Sequence, residues 1–316
     1  TYYDFYSLGI GEPYPISALN GRSTGDFLDA VTSLIEHSEP EQEDLRLKIA
    51  VVGKPNVGKS SITNALTGQN RSIVTDIPGT TRDAIDSIVK YYGEEIVLID
   101  TAGLRRKSKI SENIELYSVL RTSRAIERCD VAVVVLDAEK GLEDQDKKII
   151  NMVDDARKGM LIAVNKWDLI EKDTQTADKY VKAIYELIRT YDYVPIIFVS
   201  ALTKQRISKI IEYCKNINNL RKNRIPTSQL NKILLPIFER TPPPAVQGKD
   251  LRISYITQVK TEPPIFAFFC NHPQLIPDSY KRYMERILRE NFDFSGSPIS
   301  FIFRRKNINW EDIDRL

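Results

Sequence analysis

The stretch Gly-Lys-Pro-Asn-Val-Gly-Lys-Ser at positions 53–60 decides the fold of this 316-residue chain. It fits the pattern G-x-x-x-x-G-K-[ST], in which backbone N–H groups of a tight loop surround phosphate oxygens. Positions 48–52 before it read as an apolar, β-branched strand, and positions 60–66 after it read as the start of a helix. We therefore predict a strand, a phosphate-binding loop and a helix in this order.

Each residue that the pattern specifies has an expected contact. Gly53 and Gly58 permit the tight bend and the close approach of an anion. Lys59 would reach the β- and γ-phosphates, and the Ser60 hydroxyl would bind Mg²⁺. The alternative is an ordinary strand–turn–helix with incidental glycines, which the matching context disfavours. The candidate nucleotide-binding residues of this loop are Gly53, Asn56, Val57, Gly58, Lys59, Ser60 and Ser61.

Three further motifs follow in a fixed order: Asp-Thr-Ala-Gly at 100–103, Asn-Lys-Trp-Asp at 165–168 and Ser-Ala-Leu at 200–202. Each comes directly after a short apolar run that we predict to be a strand; the three runs are 95–99, 160–164 and 195–199. One short motif alone occurs often by chance, whereas four in order with domain-like spacing do not. Together they predict a guanine-nucleotide pocket in a GTP-hydrolysing enzyme.

The last two motifs are predicted to bind the base. The Asp168 carboxylate can accept hydrogen bonds from N1–H and the N2 amino group of guanine, a donor pair that adenine does not offer. The Lys166 stem would lie along the base, and Asn165 would brace the neighbouring loops. The third motif would offer a backbone N–H to guanine O6. Ser-Ala-Leu is a common sequence, so it supports this prediction only because it occurs at the expected position in the order of motifs. Its residues are Ser200, Ala201 and Leu202.

The region between the phosphate loop and the base motifs is predicted to sense the γ-phosphate. Asp100, at the end of a predicted strand, suits a direct or indirect hold on Mg²⁺. Gly103 can place its N–H against the γ-phosphate. Thr81 is our choice to complete the Mg²⁺ shell with Ser60 and Asp100, although a plain polar surface loop is the alternative. The predicted catalytic residues are Lys59, Asn56, Thr81 and Gly103.

The composition suits two folded domains, since 42% of the residues are hydrophobic. No run approaches 18 apolar residues, and no basic start followed by an apolar leader is present, so we expect no membrane partner. Cys129, Cys214 and Cys270 are isolated, which argues against zinc or a disulfide framework and favours the reducing cytoplasm. We also expect no DNA partner and a monomeric chain.

Charge is unevenly distributed along the chain. Positions 221–316 contain 16 Lys and Arg against 10 Asp and Glu, whereas positions 1–220 contain 29 against 33. An acidic nucleotide-binding part therefore precedes a basic part. This surplus is compatible with RNA binding but is also ordinary for a soluble domain.

The basic part is predicted to be a small α+β domain. Positions 251–259 and 265–270 alternate like strands, and 299–303 read as a last strand. Positions 278–290 carry apolar residues at helical spacing, so we expect a small sheet packed on one or two helices. Thr-Pro-Pro-Pro at 241–244 predicts a stiff, extended connection.

The first positions of the chain repeat part of the later pattern. Ser-Ala-Leu at 17–19 matches the motif at 200–202, and a helix-like stretch follows each, at 26–35 and at 207–214. Chance similarity is the alternative. We predict that positions 1–36 are the tail of another G domain, most of which is absent. The predicted division is 1–36 for this remnant, 37–46 for an acidic linker, 47–220 for a G domain and 221–316 for the C-terminal domain.

The chain closely resembles the Der (EngA) family of bacterial GTPases. Beyond the motifs above, the resemblance rests on Gly-Thr-Thr-Arg-Asp at 79–83, Leu-Arg-Arg-Lys at 104–107, Arg-Thr-Pro-Pro-Pro at 240–244, Tyr-Ile-Thr-Gln-Val at 255–259 and Phe-Ile-Phe-Arg-Arg at 301–305. It implies an α/β fold, a P-loop GTPase domain with a doubly wound, mostly parallel sheet, followed by a small K-homology-like domain. It also implies GTP hydrolysis coupled to late assembly of the large ribosomal subunit, with rRNA and ribosomal proteins as partners.

Two features qualify these implications. The C-terminal domain has no G-x-x-G, the loop with which ordinary K-homology domains clamp a nucleic-acid backbone. Leu104 stands where many small GTPases place a water-orienting glutamine, which predicts slow intrinsic turnover. The alternative function is therefore a nucleotide-regulated RNA-binding module with little turnover.

Related GTPases with an asparagine in the phosphate loop use it to hold K⁺ near the β/γ bridge, and Asn56 matches that position. Such a cation would neutralise developing charge as an arginine finger does. Asn56 bracing the loop is the alternative. The other candidate K⁺ ligands are Thr75, Ile77 and Thr80.

Overall fold

The computed structural model describes residues 2–9, 13–17, 23–34, 44–68, 75–76, 86–99 and 114–305. The chain divides into two compact units, Thr1–Leu45 and Arg46–Leu316. The smaller unit contains a short 3₁₀-helix, Tyr2–Leu8, and the helix α1 (Thr24–Leu34), close to the helix predicted at 26–35. Its Tyr14 and Phe27 rings meet edge to face with centroids 6.1 Å apart.

The larger unit begins with a G-domain module, whose elements alternate as in doubly wound α/β proteins. In chain order they are β1 (Leu47–Val52), α2 (Lys59–Thr67), β2 (Thr75–Asp76), β3 (Ser87–Tyr91), β4 (Glu94–Ile99), α3 (Ile114–Arg128), β5 (Val131–Asp137), α4 (Asp144–Asp155), β6 (Gly159–Asn165), α5 (Thr176–Leu187), β7 (Ile196–Phe198) and α6 (Ile207–Lys222).

The strands of this module form one sheet in the order β2-β3-β4-β1-β5-β6-β7 within the described residues. The pairs β2–β3 and β3–β4 are antiparallel, and the remaining pairs are parallel. This arrangement confirms the predicted mostly parallel α/β sheet. Because β1, β5, β6 and β7 run in the same direction, the loops that follow them meet at one edge.

The central strand β5 shows why the sheet is covered on both faces. All seven of its residues are buried, and the alternate side chains pack into two separate cores. Ala132, Val134 and Leu136 face one core, which includes residues of α3 and α4. Val131 and Val133 face the other, which includes residues of α2 and α6. Parallel strands buried on both faces read as continuous apolar runs for this reason.

The second module of the larger unit, the C-terminal module, is an α+β arrangement as predicted. Its elements are α7 (Thr227–Arg240), β8 (Ile253–Lys260), β9 (Ile265–Cys270), α8 (Asp278–Asn291) and β10 (Ser300–Arg304). Strand β9 pairs antiparallel with β8 and parallel with β10. Phe266, Phe268 and Met284 are completely buried between this sheet and its helices. The Pro-rich connection at 241–244 joins α7 to β8 inside this module.

The two modules contact each other through backbone hydrogen bonds at Gly296. Its N–H donates to the Tyr193 carbonyl over 2.8 Å, and its carbonyl accepts from the Met160 N–H over 2.7 Å. The Arg289 guanidinium lies 3.8 Å from the centroid of the Tyr193 ring, a cation–π contact. Met160 belongs to β6, so the C-terminal module contacts the amino-terminal half of a strand that leads to the base motif.

The described helices include none that combines the length and the apolar character needed to cross a membrane.

Candidate functional site

Three of the four predicted motifs, at 53–60, 165–168 and 200–202, lie at the carboxyl ends of the parallel strands, along one edge of the sheet. Gly53 follows β1, and Asn165 is the last residue of β6. Asp137, the last residue of β5, lies directly opposite Asn165 in the parallel register. Ser200 follows β7, where it forms an isolated bridge with Gln205. Ligands of open α/β sheets bind outside these strand ends, where short loops and helix N-termini meet.

The phosphate loop needs its glycines for conformation and for space. Gly53 and Gly58 adopt φ angles of 149° and 98°, both unfavourable for residues with a side chain. A Cβ atom on Gly53 would lie 2.7 Å from the Val135 carbonyl oxygen, and one on Gly58 would lie 2.2 Å from Asn165 Nδ2. The loop therefore packs directly against β5 and the base motif.

The helix that follows this loop presents its N-terminus with a lysine beside it. Helix α2 begins at Lys59, and its first turn holds no acidic residue that would oppose an anion. Lys59 Nζ donates to the carbonyl of Lys54 over 2.7 Å. Burial lowers the pKa of the Lys59 ammonium group, which a nearby phosphate would counteract. Ser60 and Ser61 lie in the same first turn.

Asn165 joins the phosphate loop to the second base-binding motif, at 200–202. Its Nδ2 donates to the Val57 carbonyl over 2.9 Å, and its Oδ1 accepts from the Ala201 N–H over 3.0 Å. Asn165 is 2% exposed. Both polar atoms of one buried amide thus hold two loops that are far apart in sequence, and these are the bracing contacts that the motif suggested.

Asp168 lies in a short 3₁₀-helix, Trp167–Leu169, directly after Lys166. Its Oδ1 atom is buried and has no hydrogen-bond partner within the described part of the chain. Buried polar atoms normally have partners, so an orphan in a cleft marks a place where a ligand donor fits. The next residue back, Trp167, packs on Phe198 with ring centroids 4.1 Å apart, which anchors the loop to β7.

Sequence reasoning missed several residues that hold these loops. Lys166 Nζ forms an ion pair with Asp137 Oδ2 over 2.6 Å. Lys54, within the phosphate loop, forms ion pairs with Glu143 and Asp146 at the start of α4. The only sequence signal for Asp137 is that it ends an apolar strand, the same position that drew attention to Asp100.

Some predicted site residues lie outside the described residues: Ile77, Thr80, Thr81, Asp100 and Gly103. Thr75 is described only as part of the two-residue strand β2, which pairs with β3. Leu202 is 82% exposed at the edge of the cleft loops. The described residues brought together at the strand ends are therefore those of 53–61, 165–168 and 200–202.

Comparison with known families agrees with this geometry. Residues 48–166 match the family described as "50S ribosome-binding GTPase", and residues 224–304 match "KH-domain-like of EngA bacterial GTPase enzymes, C-terminal". Together with the fold and the loops, these matches define the chain as a P-loop GTPase, a GTP-binding switch protein that hydrolyses GTP. The predicted fold class and enzyme class are thereby confirmed.

Individual relatives identify the family. GTPase Der of Chloroherpeton thalassium is 55% identical over 302 residues, which cover 96% of this chain and 69% of that protein. GTPase Der of Christiangramia forsetii is 51% identical over 303 residues, covering 96% and 70%. The chain belongs to the Der family of GTPases, as its motifs predicted.

Similar solved structures include Era in complex with MgGDPNP and nucleotides 1506–1542 of 16S ribosomal RNA. It is 18% identical, and the match covers 84% of this chain and 94% of that chain with a TM-score of 0.41. The G domain of the T. maritima FeoB transporter is 22% identical, covers 54% and 98%, and has a TM-score of 0.37.

Proposed function

We propose that the strand-end cleft binds GTP and GDP, with Asp168 as the residue that selects guanine. The observation that supports this most directly is the buried, unpartnered Oδ1 of Asp168, because a guanine donor would satisfy it. The Lys166 stem would lie along the base. Guanine O6 would receive an N–H from the loop formed by Ser200, Ala201 and Leu202. Since the Ala201 N–H already donates to Asn165, the neighbouring Leu202 amide is the more accessible donor.

The phosphates would occupy the loop at 53–61, opposite the α2 N-terminus. The Lys59 ammonium group has three N–H donors, so it would keep its bond to the Lys54 carbonyl while it binds the β- and γ-phosphates. GTPases of this class use Mg²⁺ to bridge the phosphates and to neutralise charge that develops during transfer. Ser60 in the first turn of α2 fits the hydroxyl ligand that this ion takes, and we propose Asp100 and Thr81 as its other protein contacts. Gly103 would sense the γ-phosphate.

Substitution of Asp168 by Asn tests the base assignment. The amide would offer a donor where guanine also has donors, and xanthine has a carbonyl there instead. We expect Asp168→Asn to lose GDP affinity by about tenfold or more and to gain affinity for xanthosine diphosphate, since an unpaired buried group costs about 1–3 kcal/mol. Asp178→Asn, an exposed aspartate in the first turn of α5, is the matched control. An unchanged preference in Asp168→Asn would exclude the assignment.

We further propose that K⁺ stimulates hydrolysis through Asn56, with Thr75, Ile77 and Thr80 as the other candidate ligands. Asn56 is exposed and has a φ of +66°, a left-handed conformation that asparagine tolerates better than most residues. The left-handed conformation alone is enough to explain an asparagine at this position. A variant that tests the K⁺ role must therefore keep this conformation. Asn56→Gly does so and removes the amide, whereas Asn56→Ala changes both.

The corresponding measurement is the GTP turnover rate in K⁺ and in Na⁺. We expect K⁺ to accelerate the unmodified chain and the acceleration to vanish in Asn56→Gly while GDP affinity is retained. Equal rates of the unmodified chain in the two salts would refute the K⁺ role. If stimulation survives in Asn56→Gly, the ion binds elsewhere.

We propose the large ribosomal subunit as the partner and its late assembly as the process served in the cytoplasm. Membership of the Der family, the "50S ribosome-binding GTPase" match and the basic C-terminal module support this. Co-sedimentation with purified large subunits, in GDP or a non-hydrolysable GTP analogue and at two salt concentrations, tests it. We expect binding in the GTP-like state only, with a steep loss at higher salt because phosphate contacts release counterions. Absence of binding in both states would contradict the proposal.

A further inference from the structure

The segment at 137–146 runs from the end of β5 to the first turn of α4, and we call it the β5–α4 segment. The first residue of this segment contacts the loop at 165–168, which we call the base loop. Asp137, 2% exposed, pairs with Lys166 through Oδ2 and accepts the Glu139 N–H at Oδ1 over 3.0 Å. Burial alone would raise the pKa of the Asp137 carboxyl, but the hydrogen bonds from Lys166 and Glu139 outweigh it and lower this pKa. Asp137 is thus a charged, buried anchor for the ammonium group of Lys166.

The other end of the β5–α4 segment contacts the phosphate loop. Lys54 is 6% exposed, and its Nζ lies 3.2 Å from Oδ2 of Asp146, which is fully buried, and against Glu143. Burial opposes the charge of Lys54, yet its bonds to Glu143 and Asp146 raise its pKa. The backbone carbonyl of Lys54 is the acceptor for Lys59 Nζ. The position of the Lys54 side chain therefore fixes the carbonyl that orients the phosphate-binding lysine.

The β5–α4 segment is itself held in shape. Gly141 N–H donates to the Asp137 carbonyl over 2.9 Å, and Glu143 N–H donates to Asp146 Oδ2 over 3.0 Å. From α5, the Tyr180 hydroxyl donates to the Ala138 carbonyl over 2.8 Å. These bonds hold the two anchoring carboxylates, Asp137 and Asp146, in a fixed arrangement at the two ends of the segment.

Net stability does not explain two ion pairs with buried carboxylates, because the desolvation of the buried charges largely offsets their attraction. Geometry does. We propose that Asp137 and Asp146 are positioning residues, through which the β5–α4 segment sets the base loop and the phosphate loop in one arrangement. Asp137 acts through Lys166, and Asp146 acts through Lys54. This inference rests on the nucleotide pocket proposed above.

Three single variants test it: Asp137→Asn, Asp146→Asn and the control Asp144→Asn. The Asp144 side chain is 91% exposed in the same first turn of α4, so its variant removes the same charge without touching either loop. The measurements are the dissociation rate of a fluorescent GDP analogue, the affinities for GDP and IDP, and kcat and KM for GTP.

The two positioning variants should have different signatures. Asp137→Asn should speed GDP dissociation and weaken GDP and IDP by the same factor, about tenfold, because Asp168 still reads the N2 group. Its kcat at saturating GTP should stay within about twofold. Asp146→Asn should lower kcat about tenfold, because Lys59 is misplaced, and leave the GDP-to-IDP ratio unchanged. Asp144→Asn should match the unmodified chain in all parameters.

A double variant separates positioning from folding. Lys54→Met combined with Asp146→Leu leaves no unpaired buried charge, so it should fold even if Asp146→Asn does not. We expect its thermal midpoint to recover while kcat stays low. Recovery of kcat as well would overturn the proposal, as would Asp137→Asn and Asp146→Asn behaving like Asp144→Asn. Asp168→Asn could change the nucleotide preference as expected while the Asp137 and Asp146 variants behave like the unmodified chain. That result would overturn this inference and leave the proposed pocket intact.

Discussion

The side-chain amide of Asn165 donates a 2.9 Å hydrogen bond to the backbone carbonyl of Val57, across 108 positions of the chain. Val57 is 1% exposed, so this carbonyl cannot exchange its partner for water. The bond ties the end of β6 to the phosphate loop, and the same amide accepts the Ala201 N–H on its other side. One side chain thereby aligns the loops on which the nucleotide would rest.

Removal of this amide should damage both stability and binding. In Asn165→Ala, the buried Val57 carbonyl loses its partner, at a cost of about 1–3 kcal/mol for an unsatisfied buried group, whereas the N–H of the half-buried Ala201 loses its partner at less cost. We expect the free energy of unfolding to fall by this amount and GDP affinity to fall more than about tenfold. Urea unfolding and calorimetric GDP titration provide the two measurements. Asn151→Ala, where an exposed asparagine accepts from Tyr191, should change stability by less than about 0.5 kcal/mol. Similar losses in both variants would contradict the bracing role.

Gly58→Ala tests whether the phosphate loop tolerates a single added carbon. The new Cβ would lie 2.2 Å from Asn165 Nδ2, so the bracing amide must move. Gly93→Ala is the matched control, because Gly93 has a φ of +87° with nothing within 4 Å of the added carbon. Both variants should lose about 1–2 kcal/mol of unfolding free energy through left-handed strain, and Gly58→Ala should lose more because it also displaces the bracing amide. Only Gly58→Ala should also lose GDP binding, and GDP titration of the two variants at equal folded fraction decides the point.

The strand and loop positions of the described motif residues could be predicted from the sequence, because each motif combines a residue type with a strand or helix context. Strand β1, helix α2 and the loop between them were predicted close to their observed bounds. The meeting of the three described loops, at 53–61, 165–168 and 200–202, at one edge follows from parallel strands alone. The GTPase fold and family were accordingly available before any coordinates.

The features that the sequence did not predict depend on contacts between residues that are far apart in the chain. The anchors Asp137 and Asp146 match no motif, and their partners lie 29 positions later and in the phosphate loop, respectively. The sequence analysis assigned no element to positions 227–240, where helix α7 contains Pro236, and an internal proline normally ends a helix. Its buried residues Leu230, Leu234 and Phe238 recur every four positions, a helical period that outweighs the proline signal.

The buried thiols predict a loss of stability at alkaline pH. Burial raises the pKa of Cys129 from 9.0 to about 12 and that of Cys270 to about 11. A thiol whose pKa is raised in the folded state contributes stability that is complete below its unfolded pKa and is lost as pH rises toward the folded pKa. The unfolding free energy should therefore fall from pH 9 upward, by about 1.4 kcal/mol for each such thiol at pH 10.

The measurement is urea unfolding at pH 8 and pH 10 in the unmodified chain and in Cys129→Ala. The variant will be less stable at both pH values because it loses packing, but its pH-dependent loss should be smaller by about 1.4 kcal/mol. An identical pH-dependent loss in the two proteins would show that Cys129 ionises as readily in the folded chain as in the unfolded one.

Gly296→Ala should separate the two modules of the larger unit. Gly296 has a φ of +70°, and an added Cβ would lie 2.7 Å from Ile217 and from the Met160 carbonyl oxygen. The loop must retreat, which breaks its bonds to Tyr193 and Met160. Gly248→Ala, in the same module and also at φ +70°, meets nothing within 4 Å and measures the backbone strain alone. Because overpacking typically costs about 1–3 kcal/mol, Gly296→Ala should be less stable than Gly248→Ala by this amount.

Loss of coupling between the two modules can be detected by comparing their unfolding transitions. In a Trp310→Phe background, Trp167 is the only tryptophan, and its fluorescence reports on the G-domain module, whereas far-ultraviolet circular dichroism reports on both modules. The two transitions should coincide in the unmodified chain and in Gly248→Ala, since docked modules unfold together. In Gly296→Ala they should separate, because the C-terminal module no longer contacts β6 through Gly296. Coincident transitions in Gly296→Ala would mean that contacts such as Arg289 on Tyr193 suffice to couple the modules.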